Sequence, residues 1–375
     1  MLIDLIRLWT GPLPVEHIWI SPTTRPKNLY PLFRVYWRKW LVHPLKRCLA
    51  KDYLWLLQNL FGLKVIAITG SAGKTTTKDM LASILATAGP TMATPANIDP
   101  VYNIPTTILR CLPTTKFLIL EMGIEFKGEM GFYTWLARPN IAMITNISPV
   151  HALYLDDITT IAKEKSLIGA KMTTQGTLLV NPDDKQIVVD TPAKVVPVKP
   201  IGTNFFALNT AFASTAAKLL GLSQSQIDAG LANFSLPPHR MQLVKTAKFT
   251  LIDDSYNANP LATQAAVKEL VSLAKKDKLI PVFVFGQMNE LGQYESPAHT
   301  EIGALVKKLD IPHLLTIGPA TQHTVHAAEK GKLYSSQATL FSDLKKLLTP
   351  RHLILIKGSR SWHLEELVAK VTSSA

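Results

Sequence analysis

The residues with the most chemical content fall in one run, Val65-Ile66-Ala67-Ile68-Thr69-Gly70-Ser71-Ala72-Gly73-Lys74-Thr75-Thr76-Thr77. A β-branched apolar segment leads into two glycines, a lysine and a row of hydroxyls. Gly70, Ser71 and Gly73 form a turn in which backbone N–H groups can approach a phosphate, and the helix that must follow turns its positive end toward it. Lys74 then reaches the β and γ phosphates, and Thr75 offers a hydroxyl to Mg²⁺. Thr76 belongs to the same nucleotide-binding turn. The full pattern G-x-x-x-x-G-K-[ST] asks for glycine at position 68, where the chain has Ile68. The loop is therefore a shorter variant, T-G-S-x-G-K-T. A chance Gly-Lys-Thr turn would lack the strand before it and the helix after it.

Such a loop needs elements to hold it. Short apolar runs at Val65–Thr69, Phe117–Glu121, Ala142–Asn146 and Thr177–Asn181 read as strands. Lys74–Thr87, Ile158–Met172 and Asn209–Leu220 read as helices between and after them. Leu236-Pro237-Pro238 breaks the chain, and a second alternating set follows: Phe249–Asp254, Leu279–Phe285, His313–Ile317 and Leu353–Lys357 as strands, with helices between. The fold class is α/β. Residues 64–237 form a central ATP-binding domain on a mostly parallel sheet, and 238–375 a Rossmann-like α/β domain. Residues 1–63 form a basic, Trp-rich helical segment.

Composition limits what else the chain could be. It has 375 residues, 47% hydrophobic and 18% charged, so it is neither disordered nor fibrous. Two cysteines, Cys48 and Cys111, make neither a disulfide framework nor a four-cysteine zinc site. Met1–Ile6 carries Asp4 and no basic run precedes it, so it does not read as a secretory signal. No stretch offers the ~20 apolar residues of a spanning helix. The formal charge of +13 suits an anionic partner. Nucleic acid is not expected, because no aromatic-basic module follows residue 63.

The first 63 residues hold nine Lys or Arg against three acids and five of the seven tryptophans. Tyr36-Trp37-Arg38-Lys39-Trp40-Leu41, bracketed by Pro31 and Pro44, would suit a helix in a lipid headgroup layer. The other reading is a subdomain that packs its rings on the main body. Glu125, Lys127 and Glu129 read as a solvated turn. His17, His43, His313, His323 and His326 read as surface or packing residues, and Met288 and Leu291 as packing.

Other runs follow in chain order: Leu120-Glu121-Met122-Gly123 with Gly128-Glu129, Ile144-Thr145-Asn146-Ile147-Ser148 with His151, Ile161-Ala162-Lys163-Glu164-Lys165, and Asn181-Pro182-Asp183-Asp184. Then come His239-Arg240-Met241, Ile252-Asp253-Asp254-Ser255-Tyr256-Asn257-Ala258-Asn259-Pro260, Gly286-Gln287-Met288-Asn289-Glu290-Leu291-Gly292 and Lys357-Gly358-Ser359-Arg360. From Lys64 onward the chain resembles the Mur ligase family, ATP-dependent enzymes that join an amino acid or peptide to a carboxylate. Asp254–Pro260 is the most specific piece and resembles the dipeptide-adding branch.

The resemblance implies ATP, Mg²⁺ at two sites, and catalytic roles for Lys74, His151 and Lys165. Thr75 and Glu121 would hold one Mg²⁺, and His151 and Lys165 the second. Lys165, in Lys165-Ser166-Leu167-Ile168, matches a lysine that CO₂ carbamylates in the family; the alternative is a plain surface lysine, as Lys163 and Lys171 share its helix. Arg240, Asp254 and Asn209 match nucleotide contacts, although Phe205-Phe206 stand where the family has a His-Asn pair. Asn97, Asn103 and Asn146 fall near the acceptor substrate. Asn257, Asn259, Lys357 and Ser359 would receive the incoming amine, and each alone also suits a turn or cap. The site would be complete once the C-terminal domain closes.

The implied reaction adds D-alanyl-D-alanine, or a similar amine, to a peptide carboxylate through an acyl phosphate. The family's N-terminal domain that grips uridine diphosphate is not expected in residues 1–63. The acceptor is then a UDP-linked or a lipid-linked muropeptide, handled in the cytoplasm or at the inner face of the membrane. Two alternatives stand beside this reading. One is the same mechanism with another acceptor, as in folate polyglutamylation. The other is a non-catalytic nucleotide-binding scaffold, which would not need Lys74, Thr75, Glu121, His151 and Lys165 together.

Overall fold

Five of the six residues of strand β1 (Lys64–Thr69) are buried, as a strand covered on both faces requires. In the computed structural model, which describes residues 7, 9–19, 28–95, 98–200, 202 and 205–374, β1 lies at the centre of a six-stranded parallel sheet. The other strands are β2 (Thr91–Ala93), β3 (Phe117–Glu121), β4 (Ile141–Ile144), β5 (Thr177–Val180) and β6 (Lys194–Pro197). Their order is β2-β3-β1-β4-β5-β6. Strand order reverses at β1, which leaves a crevice beyond its carboxyl end, the usual ligand position in such sheets.

The helices of this first unit are α1 (Val15–Ile18), α2 (Leu29–Trp37), α3 (His43–Leu60), α4 (Lys74–Ala86), α5 (Pro100–Leu109) and α6 (Glu129–Leu136). After α7 (Ala152–Leu155) come α8 (Ile158–Ala170), α9 (Ala207–Leu219) and α10 (Gln224–Ala232). Alternate residues Ile66 and Ile68 of β1, with Ile119 and Met143, pack on Leu81, Ile84 and Leu85 of α4 and on the alanine-rich face of α9. That packing fixes the start of α4, and with it the loop after β1.

The N-terminal segment is part of this unit. Buried Pro44, Arg47, Ala50, Leu54 and Leu57 put one face of α3 on the body. Lys46 Nζ donates to Thr106 Oγ1 at 2.7 Å and Tyr53 OH to the Cys111 carbonyl at 2.8 Å. Pro44 does not bound a helix here, contrary to the sequence reading. The chain stays helical from Leu29 to Leu60 through a π turn at Arg38–Val42, where the His43 N–H reaches the Arg38 carbonyl. Proline lacks an N–H and clashes with the carbonyl four residues back; the wider turn accommodates both. None of residues 30–42 is buried.

The second unit holds Ser148–Asp156, Thr203–Phe205 and Ser235–Ala375. The segment with α7 therefore groups with the second unit, although it was read as part of 64–237. Its strands are β7 (Gln242–Lys245), β8 (Thr250–Asp254), β9 (Ile280–Gly286), β10 (His313–Ile317), β11 (Lys332–Tyr334) and β12 (His352–Lys357). They are ordered β11-β10-β9-β12-β8-β7, all parallel except β7. α11 (Pro260–Asp277) and α12 (Glu295–Lys308) cover one face. α13 (Thr321–Ala328) follows, and α14 (Gln337–Leu344) and α15 (Leu364–Thr372) cover the other face. Among the described residues, no helix is long and apolar enough to cross a membrane.

Candidate active site

The loop after β1 is shaped by contacts that exclude side chains. Gly70 has φ 143°, and a Cβ there would lie 1.9 Å from Thr145 Oγ1. Gly73 has φ 81°, and a Cβ there would lie 2.5 Å from Asn209 Nδ2. Only glycine fits both positions. Asn146 takes the Ser71 N–H on its carbonyl at 2.9 Å and the Ala72 N–H on Oδ1 at 2.8 Å. Thr145 Oγ1 donates to the Ala72 carbonyl at 2.7 Å. Asn209 Nδ2 donates to the Gly73 carbonyl at 3.1 Å and to Thr77 Oγ1 at 3.0 Å. Asn146 and Asn209 thus brace the loop.

No acidic residue stands in the first turn of α4, so nothing there cancels the positive end of the helix. Lys74 Nζ donates to the Gly70 carbonyl at 2.7 Å and folds back over the loop. Ser71, Thr75 and Thr76 are buried beside it. Thr75 Oγ1 donates to Glu121 Oε1 at 2.9 Å. A hydroxyl and a carboxylate converging on one point are oxygen donors suited to Mg²⁺. Among the described residues no group of three His, Cys, Asp or Glu could hold a metal; phosphate and water would complete such a site. Lys78, which the sequence reading passed over, lies one turn beyond Lys74. It is buried, donates to the Thr94 carbonyl at 2.8 Å and approaches Glu121 Oε2 at 3.6 Å. It holds Glu121 toward Thr75.

Lys165 lies on α8 and is 1% exposed. Among the described residues it has no hydrogen bond or ion pair. Burial, and then the charge of Lys74, push its amine well below the ordinary lysine range, against the pull of Glu129 and Glu164. It is not a surface lysine. Glu164 accepts the Gly128 N–H at 2.8 Å and the Met130 N–H at 3.2 Å, which caps α6. Glu129 is not solvated, contrary to the sequence reading. It is 2% exposed, pairs with His17 Nε2 at 2.5 Å and accepts the N–H groups of Glu125 and Phe126. Its partner comes from 112 residues away. Asn103 is buried, with Nδ2 on the Pro95 carbonyl at 2.8 Å and Oδ1 accepting from Thr107 at 3.1 Å. It pins the chain after β2. Asn97 lies outside the described residues.

In the second unit, register pairs Asp254 at the end of β8 with Lys357 at the end of β12. Lys357 Nζ meets Asp254 Oδ2 at 2.6 Å and the Asn257 carbonyl at 2.8 Å. Burial pushes the Asp254 carboxyl upward against the pull of Lys357. The guanidinium carbons of Arg240 and Arg360 lie 4.0 and 5.5 Å from the Tyr256 ring centre. Ser359 Oγ accepts the Asn289 N–H at 2.9 Å. Asn259 caps α11 through the Ala262 N–H, and Asn257 Oδ1 accepts the Ala258 N–H. His151, at φ 59°, meets Glu290 Oε2 through Nδ1 at 2.7 Å and so holds that carboxyl below the ordinary range. Glu290 lies in the run Gly286–Gly292, where its sequence neighbours alone assign it no role. Phe205 packs on the core of the second unit and Phe206 on that of the first.

A braced phosphate loop at the switch point of a parallel sheet, with an adjoining oxygen pair and a second α/β unit, defines an ATP-using enzyme. Residues 68–233 match the family described as "Mur ligase middle domain", and 239–360 "Mur ligase, glutamate ligase domain". The chain is 30% identical to the UDP-N-acetylmuramoyl-tripeptide--D-alanyl-D-alanine ligase of Escherichia coli, across 81% of this chain and 76% of that protein. It is 30% identical to the Bacillus subtilis ligase of that name, across 87% and 79%. The crystal structure of MurF from Acinetobacter baumannii superposes with a TM-score of 0.79 at 26% identity, across 88% of this chain and 80% of that one. The chain belongs to the Mur ligase family, and is an ATP-dependent carbon–nitrogen ligase of peptidoglycan precursor synthesis.

Proposed function

We propose that this ligase joins D-alanyl-D-alanine, or a dipeptide like it, to the terminal carboxylate of a UDP-linked muramoyl tripeptide. One observation carries the chemistry: Lys74, Thr75 and Glu121 share a unit with Lys165, a buried amine. In this reading the acceptor carboxylate attacks the γ-phosphorus of ATP, ADP leaves, and an acyl phosphate forms. Lys74 and the first turn of α4 neutralise charge on the transferring group. Thr75 and Glu121 would hold one Mg²⁺, and His151 and Lys165 a second; the ions spread phosphate charge when bound. The neutral Lys165 amine attacks the carbon of CO₂ and loses a proton to water, which leaves a carbamate with two oxygens for metal. Arg240, Asp254 and Asn209 serve the nucleotide, and Asn97, Asn103 and Asn146 the acceptor side. Asn257, Asn259, Lys357 and Ser359 receive the dipeptide, whose amine attacks the acyl carbon and expels phosphate.

The test is phosphate release from ATP and Mg²⁺. D-alanyl-D-alanine is paired with the UDP-linked tripeptide, with its lipid-linked form, and, separately, folate with glutamate. Release that needs both dipeptide and UDP-linked tripeptide is expected. Release with folate and glutamate alone would overturn the reading.

The exposed rings favour a further element: contact of the N-terminal segment with an anionic membrane surface. Tyr30, Phe33, Trp37 and Trp55 are 71, 64, 51 and 62% exposed, on helices that also carry Arg34, Arg38 and Lys46. Rings with flanking cations suit a headgroup layer. Co-sedimentation with phosphatidylglycerol vesicles, but not with phosphatidylcholine vesicles, is expected. Equal recovery in both supernatants would remove this element, and preference for the lipid-linked acceptor would extend it.

A further inference from the structure

Arg47, on α3, is 2% exposed. Its Nε and Nη1 are closed off from solvent and have no hydrogen-bond partner. Phe132 lies under the guanidinium, 5.2 Å from ring centre to Cζ. The next residue on α6, Tyr133, is fully buried and its hydroxyl also has no partner. The two groups act on each other electrostatically. A guanidinium brings five donors, and burying such a charge without acceptors is expensive. Folded proteins leave few buried polar groups in this state.

The acids nearby do not resolve it. Asp99 faces Arg47 but forms no ion pair with it, and one of its oxygens caps α5 through the Val101 N–H at 2.9 Å. Glu129 is engaged with His17 and two backbone N–H groups. More cations stand close by. Burial, with Arg47, Arg38, Lys46 and Lys39, pushes His43 down to about 4. Lys39 is tied to the Trp19 carbonyl and Lys46 to Thr106. The cations Arg38, Lys39 and Lys46 thus gather on the same helical run as Arg47, while Glu129, Asp99 and Glu125 act on Tyr133; the open guanidinium donors suit an oxyanion.

We propose that Arg47 and Tyr133 form a binding site for a phosphoryl oxyanion of the acceptor substrate. The ligase reading enters only in naming the bearer, since a UDP-linked acceptor carries such groups. The site itself rests on burial and missing partners.

The experiment uses the full chain saturated with ADP, so that the phosphate loop is filled. Calorimetry then measures affinity for inorganic pyrophosphate, UDP and the dicarboxylate glutarate in wild type, Arg47→Met and Tyr133→Phe. Arg47→Met is expected to weaken pyrophosphate and UDP alike by about tenfold or more, a charged hydrogen bond's worth, and Tyr133→Phe by about threefold. ADP affinity should not change. Without ligand, Arg47→Met should melt no lower than wild type, because an unpaired buried charge has gone. A lower melting temperature with unchanged pyrophosphate affinity in both variants would make the pair structural and overturn the proposal. Loss of pyrophosphate binding with UDP binding intact would make it a free-anion site and overturn the acceptor assignment. Arg47-dependent binding of glutarate alone would overturn the phosphoryl class. Acceptor-dependent phosphate release by wild type stands apart: UDP held through Arg47 without turnover keeps this site and sinks the ligase reading.

Discussion

In the second unit the buried amine of Lys357 has its own carboxylate, Asp254, at 2.6 Å. In the first unit the buried cations Lys165 and Arg47 have no ion-pair partner among the described residues. Lys78 in the first unit is paired like Lys357, with Glu121 and Asp79; Lys165 and Arg47 are left open. A completed pair holds strands and loops in place. An open cation must lose its charge, acquire a new one by reaction, or wait for an anion from outside. Under the proposed function, substrate and CO₂ would supply the missing charge at Arg47 and Lys165, whereas the charges of Lys357 and Asp254 already meet each other.

Breaking the completed pair should have the largest effect. Lys357→Met leaves Asp254 buried alone and should cost about 3–5 kcal/mol in denaturant unfolding. Adding Asp254→Asn should recover part of that loss; no recovery would mean that the two are not a unit. Lys165→Met should instead spare stability and lower turnover about 10²–10³-fold, about 3–4 kcal/mol of barrier. The same variant sharpens the contrast through pH. The folded state holds the Lys165 amine below its ordinary 10.5, so between those values the unfolded chain binds more protons. The Lys165 contribution should therefore rise with pH toward 10.5, read in denaturant unfolding as a difference between wild type and Lys165→Met that changes with pH. Gly70→Ala drives a Cβ into Thr145 and should cost about 1–3 kcal/mol, with weaker ADP binding by calorimetry. The smallest effect on stability is expected at His151→Ala, below about 1 kcal/mol in denaturant unfolding, because its pair with Glu290 is partly exposed. Glu290 is held below its ordinary 4.5. That contribution should be present at pH 7 and vanish as pH falls through the lowered value.

Which parts were legible in the sequence follows from the same physics. The eight strands read from apolar runs are the interior strands of the two sheets. The four that were missed, β2, β6, β7 and β11, are the four sheet edges. An edge strand is paired on one side only, and these have three or four residues each, of which Tyr334 alone is buried, in place of a continuous apolar run. The phosphate loop was legible because its chemistry is contiguous. Its braces were harder to assign: Asn146 and Asn209 stood out as polar residues, but whether an amide meets a ligand or the Ala72 and Gly73 backbone depends on the fold. Glu129 looked solvated because His17 is remote in sequence. Arg47 was one of nine cations in a basic segment, and nothing local distinguishes the one that faces inward.

The π turn at Arg38–Val42 also sets the direction of the exposed rings. An α-helix advances about 100° per residue, so one additional residue in a turn rotates all that precedes it by about that angle relative to all that follows. Tyr30, Phe33 and Trp37 precede the turn, while the buried row Arg47, Ala50, Leu54 and Leu57 follows it. The angle between the two rows depends on residue count rather than residue identity. A relative that lost one residue between Arg38 and Val42 would keep its hydropathy and charge profile, yet aim its aromatic row in another direction.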